Sequence, residues 1–262
     1  MSLSDVFSVA RAESRAALIG YLPAGYPTVE GSKEHLKAMV EAGCDLVEVG
    51  LPFSDPVMDG PTIQAAAEQA RREGFRVRDL FDVVSAVASA GGRAVVMTYW
   101  NPVLRYGVDA FARDLAAAGG LGLITPDLVP DEASDWMAAS EAHGLDRIFL
   151  VAPSSTEERI AMTAQASSGF LYATAVMGVT GARDVVSSAA PELVARVREH
   201  TSIPVGVGLG VRNGAQAAEI AGFADGVIVG SAFVSAVAEG DGAVRALAAD
   251  LAKGVRSAAA TV

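Results

Sequence analysis

Residues 45–64 read DLVEVGLPFSDPVMDGPTIQ. The run Leu46–Gly50 is short and apolar except for one carboxylate, Glu48. Near-continuous apolar runs of this length are what parallel strands look like when helices cover them from outside. The stretch then breaks into a loop whose shape is pre-set by Pro52, Pro56, Gly60 and Pro61. The same alternation of short run and longer helical pattern extends in both directions. Further strands are predicted at Ala17–Leu22, Ala94–Tyr99, Gly122–Thr125, Arg147–Ala152, Phe170–Ala175, Pro204–Val207 and Gly226–Val229. Helical patterns cover Ser32–Ala42, Ser134–His143, Pro191–Glu199 and Asn213–Ala221. Another opens at Ser155, where Ser155 and Glu158 have capping-box spacing.

Eight strands with helices between them, and no Pro/Gly/Ser-rich linker, predict one (β/α)8 barrel spanning residues 1–262 as a single domain. An extra N-terminal helix at Ser4–Ser14 would plug or flank the barrel bottom. Periodicity does not reveal closure, so a doubly wound open sheet is the alternative. A chain of 262 residues is long enough to bury one large core without staples. Its hydrophobic share of 51% against 19% charged residues fits a globular chain.

Composition also excludes several functions. The net charge of −11, with no Lys/Arg cluster, speaks against a nucleic-acid partner. The single Cys44 allows no internal disulfide framework and fits a reducing compartment. Asp5 and Glu13 stand where a signal peptide would carry only positive charge. The uncharged stretch Ile160–Ala182 is interrupted by Thr163, Gln165, Ser167, Ser168, Thr174 and Thr180. No membrane association and a cytoplasmic location are therefore expected. The three lysines, Lys33, Lys37 and Lys253, fall on helices, which leaves no strand-end amine for a Schiff base. The three histidines, His35, His143 and His200, also fall on helices or their ends, and no cluster suits a metal. Any chemistry must rest on carboxylates, hydroxyls and backbone dipoles.

Glu48 is the first candidate. If Val47 and Val49 face the helices, Leu46, Glu48 and Gly50 point into the barrel. A carboxyl there loses hydration and can exchange protons near neutral pH. The competing reading is a buried Glu satisfied by its neighbours. Asp55 and Asp59 on the following loop suit recognition of a substrate N–H or O–H, and suit ordinary turn chemistry equally well. Glycines cluster at Gly178–Gly181, Gly206–Gly210 and Gly230-Ser231. The last two clusters follow the seventh and eighth strands, where barrels often hold phosphate on backbone N–H groups; αL turns would also use Gly. Tyr21, Tyr99, Trp100 and Tyr172 fall near strand ends, as packing or as the walls of a flat pocket.

The stretch from Glu48 to Gln64 resembles the signature of the tryptophan synthase α-subunit family, a Glu on strand two followed by PFSDP and DGPTIQ. The resemblance runs along nearly the whole chain in family order. It takes in Tyr21 to Pro27, Tyr99-Trp-Asn-Pro102, Thr125-Pro-Asp-Leu128, Gly178-Val-Thr-Gly181, Gly208-Leu-Gly210 and Gly230-Ser231. It implies a TIM-barrel lyase of L-tryptophan biosynthesis that splits indole-3-glycerol phosphate into indole and glyceraldehyde 3-phosphate by a retro-aldol reaction. By the same resemblance Glu48 would protonate indole C3 and help deprotonate the glycerol hydroxyl, while Asp59 would accept the indole N–H. Tyr172 would position Glu48 or the glycerol chain. Tyr21, Ile63, Tyr99, Ile124 and Leu209 would line the indole pocket. Gly181, Gly210, Gly230 and Ser231 would hold the phosphate, and Thr180 would sit on a loop closing over Asp59. The resemblance implies no metal and no cofactor on this chain. It implies an α2β2 heterotetramer with a β subunit carrying pyridoxal phosphate, faced by Pro52 and Asp55. Three rival readings are a phosphate-binding barrel isomerase, a barrel that only activates a β-type partner, and a lyase that works alone.

Overall fold

A computed structural model describes residues 2–174, 189–208 and 210–257. The strands are β1 (Ala17–Pro23), β2 (Leu46–Gly50), β3 (Ala94–Met97), β4 (Gly122–Ile124), β5 (Asp146–Ile148), β6 (Leu150–Val151), β7 (Leu171–Thr174), β8 (Val205–Gly208) and β9 (Gly226–Val229). All pair in parallel, in the order β5-β4-β3-β2-β1-β9-β8-β7-β6. The two edge strands of that order are halves of one stretch of chain, parted only at Phe149. β5 pairs with β4 through Ile124↔Ile148, and β6 pairs with β7 through Leu150↔Tyr172. The Phe149 carbonyl between them accepts the Tyr172 N–H at 3.1 Å. A strand bonded to one neighbour along its first half and to the other along its second half closes the sheet. The chain folds as the expected barrel, with one strand passing between neighbours where sequence predicted an unbroken run at Arg147–Ala152.

Strand alternation sorts the core into two layers. Val47 and Val49 belong to the outer layer, packed with helix residues such as Leu36 and Val84. Leu46, Val95, Ile124, Ile148 and Phe170 fill the barrel interior. The interior layer also holds Leu3, Val6, Phe7 and Ala10 from helix α1 (Leu3–Ala12), and the Phe7 and Phe170 ring centroids lie 5.4 Å apart. The N-terminal helix is therefore a plug whose apolar stripe finishes the core.

The remaining helices are α2 (Val29–Glu41), α3 (Pro61–Arg72), α4 (Val77–Ser89), α5 (Trp100–Tyr106), α6 (Val108–Ala117), α7 (Ser134–His143), α8 (Glu157–Ala166), α9 (Ala189–Arg198), α10 (Gly214–Ala221), α11 (Ser231–Glu239) and α12 (Asp241–Ser257). Two starts differ from the sequence reading for reasons the side chains show. Helix α8 is capped by Thr156, whose hydroxyl accepts the Arg159 N–H, because the Ser155 hydroxyl is engaged by the Ala152 N–H at 3.1 Å. Helix α2 opens three residues before Ser32. Thr28 is its cap, and the buried Ser32 hydroxyl instead donates to the Val29 carbonyl and accepts the Gly25 N–H. Strand three ends at Met97, so Tyr99 becomes the residue that caps α5.

Candidate active site

The C-terminal ends of the parallel strands share one rim, where barrel enzymes place their chemistry. Glu48 sits on β2 just below it, in register with Tyr21 of β1 and Val95 of β3. Its neighbours Val47 and Val49 face the helices, so Glu48 faces the interior and is only 1% exposed. Among the described residues its Oε1 has no hydrogen-bond partner. A Glu satisfied by its neighbours would have both oxygens engaged, and this one does not. With hydration gone and no cation to replace it, burial pushes the Glu48 pKa up to about 8.

Asp59 comes from the loop between β2 and α3. Helix α3 begins with Pro61 after Gly60, which fixes the chain direction just beyond Asp59. The Gln64 side chain donates to the Asp59 carbonyl at 2.7 Å, and the Met58 N–H donates to the Tyr99 hydroxyl at 3.0 Å. The Phe53 ring packs on Tyr99 with centroids 5.1 Å apart. Burial raises the Asp59 pKa to about 6, opposed by a hydrogen bond from Tyr99 that lowers it. The two acids of this loop separate here. Asp55 is exposed and accepts from its neighbour Ser54 at 2.5 Å, whereas Asp59 turns inward.

Tyr21, Ile63, Tyr99, Ile124 and Tyr172 are all buried. Tyr21 and Tyr172 both feel the charges of Glu48 and Asp59, which together with burial raise their pKa values well above 10 and keep both phenols neutral. Each ring lies over a glycine of the neighbouring strand. A Cβ at Gly50 would stand 2.4 Å from the Tyr21 hydroxyl oxygen, and one at Gly208 would stand 2.5 Å from that of Tyr172. Trp100 does not join this wall. Its side chain is half-buried against the outer layer, and its backbone N–H donates to Asp127 at 2.8 Å. That bond ties the start of α5 to the Thr125-Pro-Asp-Leu128 loop.

Gly230 precedes α11, and Ser231, buried, is its first residue. The first turn of a helix leaves N–H groups without intrahelical partners, which suits an anion. A Cβ at Gly230 would come 3.5 Å from Tyr21 Cδ1 and 3.6 Å from Ile63 Cδ1, so this helix start adjoins the aromatic wall. Gly210 has φ of 69°, the left-handed region that glycine accepts without strain. The run Gly206–Gly210 divides. Gly206 and Gly208 are strand positions that make room for Phe170 and Tyr172, and only Gly210 lies in the loop beyond β8. Thr180, Gly181 and Leu209 lie outside the described residues. Two features had no sequence signal. The Tyr99 contact joins residues forty positions apart, and the glycine seats became legible only once the strands were in register. Among the described residues no group of three or more His, Cys, Asp or Glu could hold a metal.

The family model described as "Tryptophan synthase alpha chain" matches residues 7–261. The chain belongs to the tryptophan synthase alpha chain family. A tryptophan synthase alpha chain of Nocardia farcinica is 72% identical over 256 residues, covering 98% of this chain and 96% of the relative. One from Mycobacterium tuberculosis is 69% identical over 254 residues, covering 97% and 94%. Among solved structures, one of M. tuberculosis tryptophan synthase superposes with a TM-score of 0.94 at 68% identity, covering 97% of this chain and 98% of that one. The Pyrococcus furiosus tryptophan synthase alpha subunit, in a mutant form, gives a TM-score of 0.83 at 31% identity, covering 91% and 98%. The tryptophan synthase alpha chain family consists of lyases that cleave indole-3-glycerol phosphate in tryptophan biosynthesis.

Proposed function

We propose that the chain cleaves indole-3-glycerol phosphate with Glu48 as its proton carrier and Asp59 as the counter-charge. The observation that carries this reading is the unpartnered, interior Glu48 carboxyl, with a pKa near 8, in the same pocket as an acid with a pKa near 6. At neutral pH Glu48 holds its proton and Asp59 has lost its own.

Glu48 gives its proton to indole C3, and the ring becomes an indoleninium cation whose N–H⁺ faces the Asp59 carboxylate. The newly formed Glu48 carboxylate takes the proton from the hydroxyl on the adjacent chain carbon. The carbon–carbon bond breaks, and its electron pair returns to the ring and restores neutral indole. The hydroxyl-bearing carbon becomes the aldehyde. The delivered proton remains on C3, the hydroxyl proton recharges Glu48, and the acid is regenerated without metal or Schiff base. A dry carboxyl of raised pKa is the donor such a step requires. Gly210, Gly230 and Ser231, with Gly181, are assigned to the phosphate; Ile63, Ile124, Tyr99 and Leu209 to the indole; Tyr172 to positioning Glu48; and Thr180 to a loop closing over Asp59.

The partner reading has its own support. Val57, Leu104 and Val129 are 69%, 56% and 42% exposed and follow β2, β3 and β4 on this rim. With Pro52 and Asp55 they are assigned to the surface that meets a β subunit, which would supply pyridoxal phosphate in an α2β2 assembly. Lys33, Lys37 and Lys253 lie on α2 and α12, away from the pocket. No helix among the described residues is long and apolar enough to cross a membrane, and the cytoplasm remains the expected compartment.

The test is an assay of the purified chain with indole-3-glycerol phosphate, alone and with a β subunit. Indole release that rises on adding the β subunit supports the reading; none in either case overturns it. Leu104→Asp is expected to keep the basal rate and to lose most of the stimulation, which dose-response titration with the β subunit measures.

A further inference from the structure

We infer that the Tyr21 hydroxyl is a specificity-determining contact that donates a hydrogen bond to the glycerol hydroxyl Glu48 does not use. The inference rests on the functional reading above and adds a residue role to it.

Alternation along β1 points Tyr21 inward with Ala17 and Ile19, and the register sets it beside Glu48. The ring spans the pocket. One edge lies 3.5 Å from where a Gly230 side chain would begin, at the start of α11, and the hydroxyl lies over Gly50, where a Cβ would meet it at 2.4 Å. The phenol thus reaches from the phosphate end of the site to the level of Glu48. Burial acts first on this phenol, and the charges of both Asp59 and Glu48 reach it as well. The Tyr99 hydroxyl is already engaged by the Met58 N–H, whereas the Tyr21 hydroxyl stands over Gly50 on a residue in register with Glu48. A ligand hydroxyl that reaches this phenol gains a hydrogen bond inside a largely dry site, where such bonds count for more than in water.

The substrate offers a single match. Its ring N–H belongs to Asp59, its phosphate to the glycines, and the hydroxyl next to the ring to Glu48. The second glycerol hydroxyl is left, on the stretch of chain between phosphate and ring that Tyr21 underlies. A neutral phenol can donate to that oxygen across the working pH range. A ligand without the hydroxyl would leave the phenol unpaired in a dried site, so the contact discriminates as well as binds.

Tyr21→Phe removes the hydroxyl and keeps the ring. The test measures kcat/KM for indole-3-glycerol phosphate, and the inhibition constant of indole-3-propanol phosphate, which carries ring and phosphate but no chain hydroxyl. Loss of one neutral hydrogen bond in a dry site is expected to lower kcat/KM about five- to twenty-fold. The inhibition constant should stay within about twofold or tighten, because the variant no longer buries an unpaired group. An unchanged kcat/KM overturns the inference. So does an inhibition constant that weakens by the same factor, which would make Tyr21 an apolar wall only. Wild-type chain that releases no indole would defeat the functional reading instead, so the two failures are distinct.

Discussion

Two carboxyls share this pocket and are driven apart by their surroundings. Glu48 has only burial acting on it, which takes it from an ordinary 4.5 to about 8. Asp59 rises from 3.8 to about 6, since its burial is less complete and Tyr99 donates to its charged form. Glu48 must hold its proton to act, so activity should fall above about 8; Asp59 must be ionised, so activity should fall below about 6. A kcat/KM profile is expected to be bell-shaped between those limits. A substrate phosphate also titrates near ~6. Tyr99→Phe tells the two apart, since losing the hydroxyl should move an Asp59 limb upward and leave a phosphate limb in place. The same shift of Glu48 links to stability. Its folded pKa is raised, so its contribution is full below about 4.5 and is lost as pH rises through about 8. Glu48 could be read from sequence because a period of two fixes which strand residues face inward. Residue types alone did not separate Asp59 from Asp55, and only the resemblance did, because loop conformation decides which acid is buried and that conformation is held by residues distant in the chain.

At the level of elements, strand register makes the site possible. Tyr21 rests over Gly50 of the next strand, and Tyr172 rests over Gly208, so each pair needs two strands aligned to a residue. Gly208→Ala puts a methyl group 2.5 Å from the Tyr172 hydroxyl and must displace the ring. The expected outcome is a stability cost of about 1–3 kcal/mol, the usual range for overpacking, with a larger loss in kcat than in KM. Steady-state kinetics beside urea denaturation measures both; unchanged kcat would show that Tyr172 has no positioning role. Apolar runs located every strand to within a few residues. Helix starts were less legible, because adjacent Ser155 and Thr156 compete for one cap and only the turn at Ala152 shows which hydroxyl is already engaged.

For the molecule as a whole, closure and the plug separate stability from chemistry. Sequence left closed barrel and open sheet both standing, since strand lengths and spacing are alike in the two. Closure rests on hydrogen bonds across Phe149 that no periodicity encodes. The N-terminal helix fills the end of the barrel away from the rim, with Phe7 on Phe170. Phe7→Ala should cost about 3–5 kcal/mol of unfolding free energy, as buried Phe truncations do. Its kcat at a temperature where the variant stays folded should be near wild type. A lowered kcat with unchanged denaturation midpoint would contradict this division between the two ends.

The central claim is that one interior carboxyl stays protonated at neutral pH. Titration of the Glu48 carboxyl by 13C NMR tests it most directly, with Glu48→Gln identifying the resonance. The expected midpoint is near 8. A midpoint at the ordinary 4.5 would mean the group is charged at neutral pH and cannot be the proton donor.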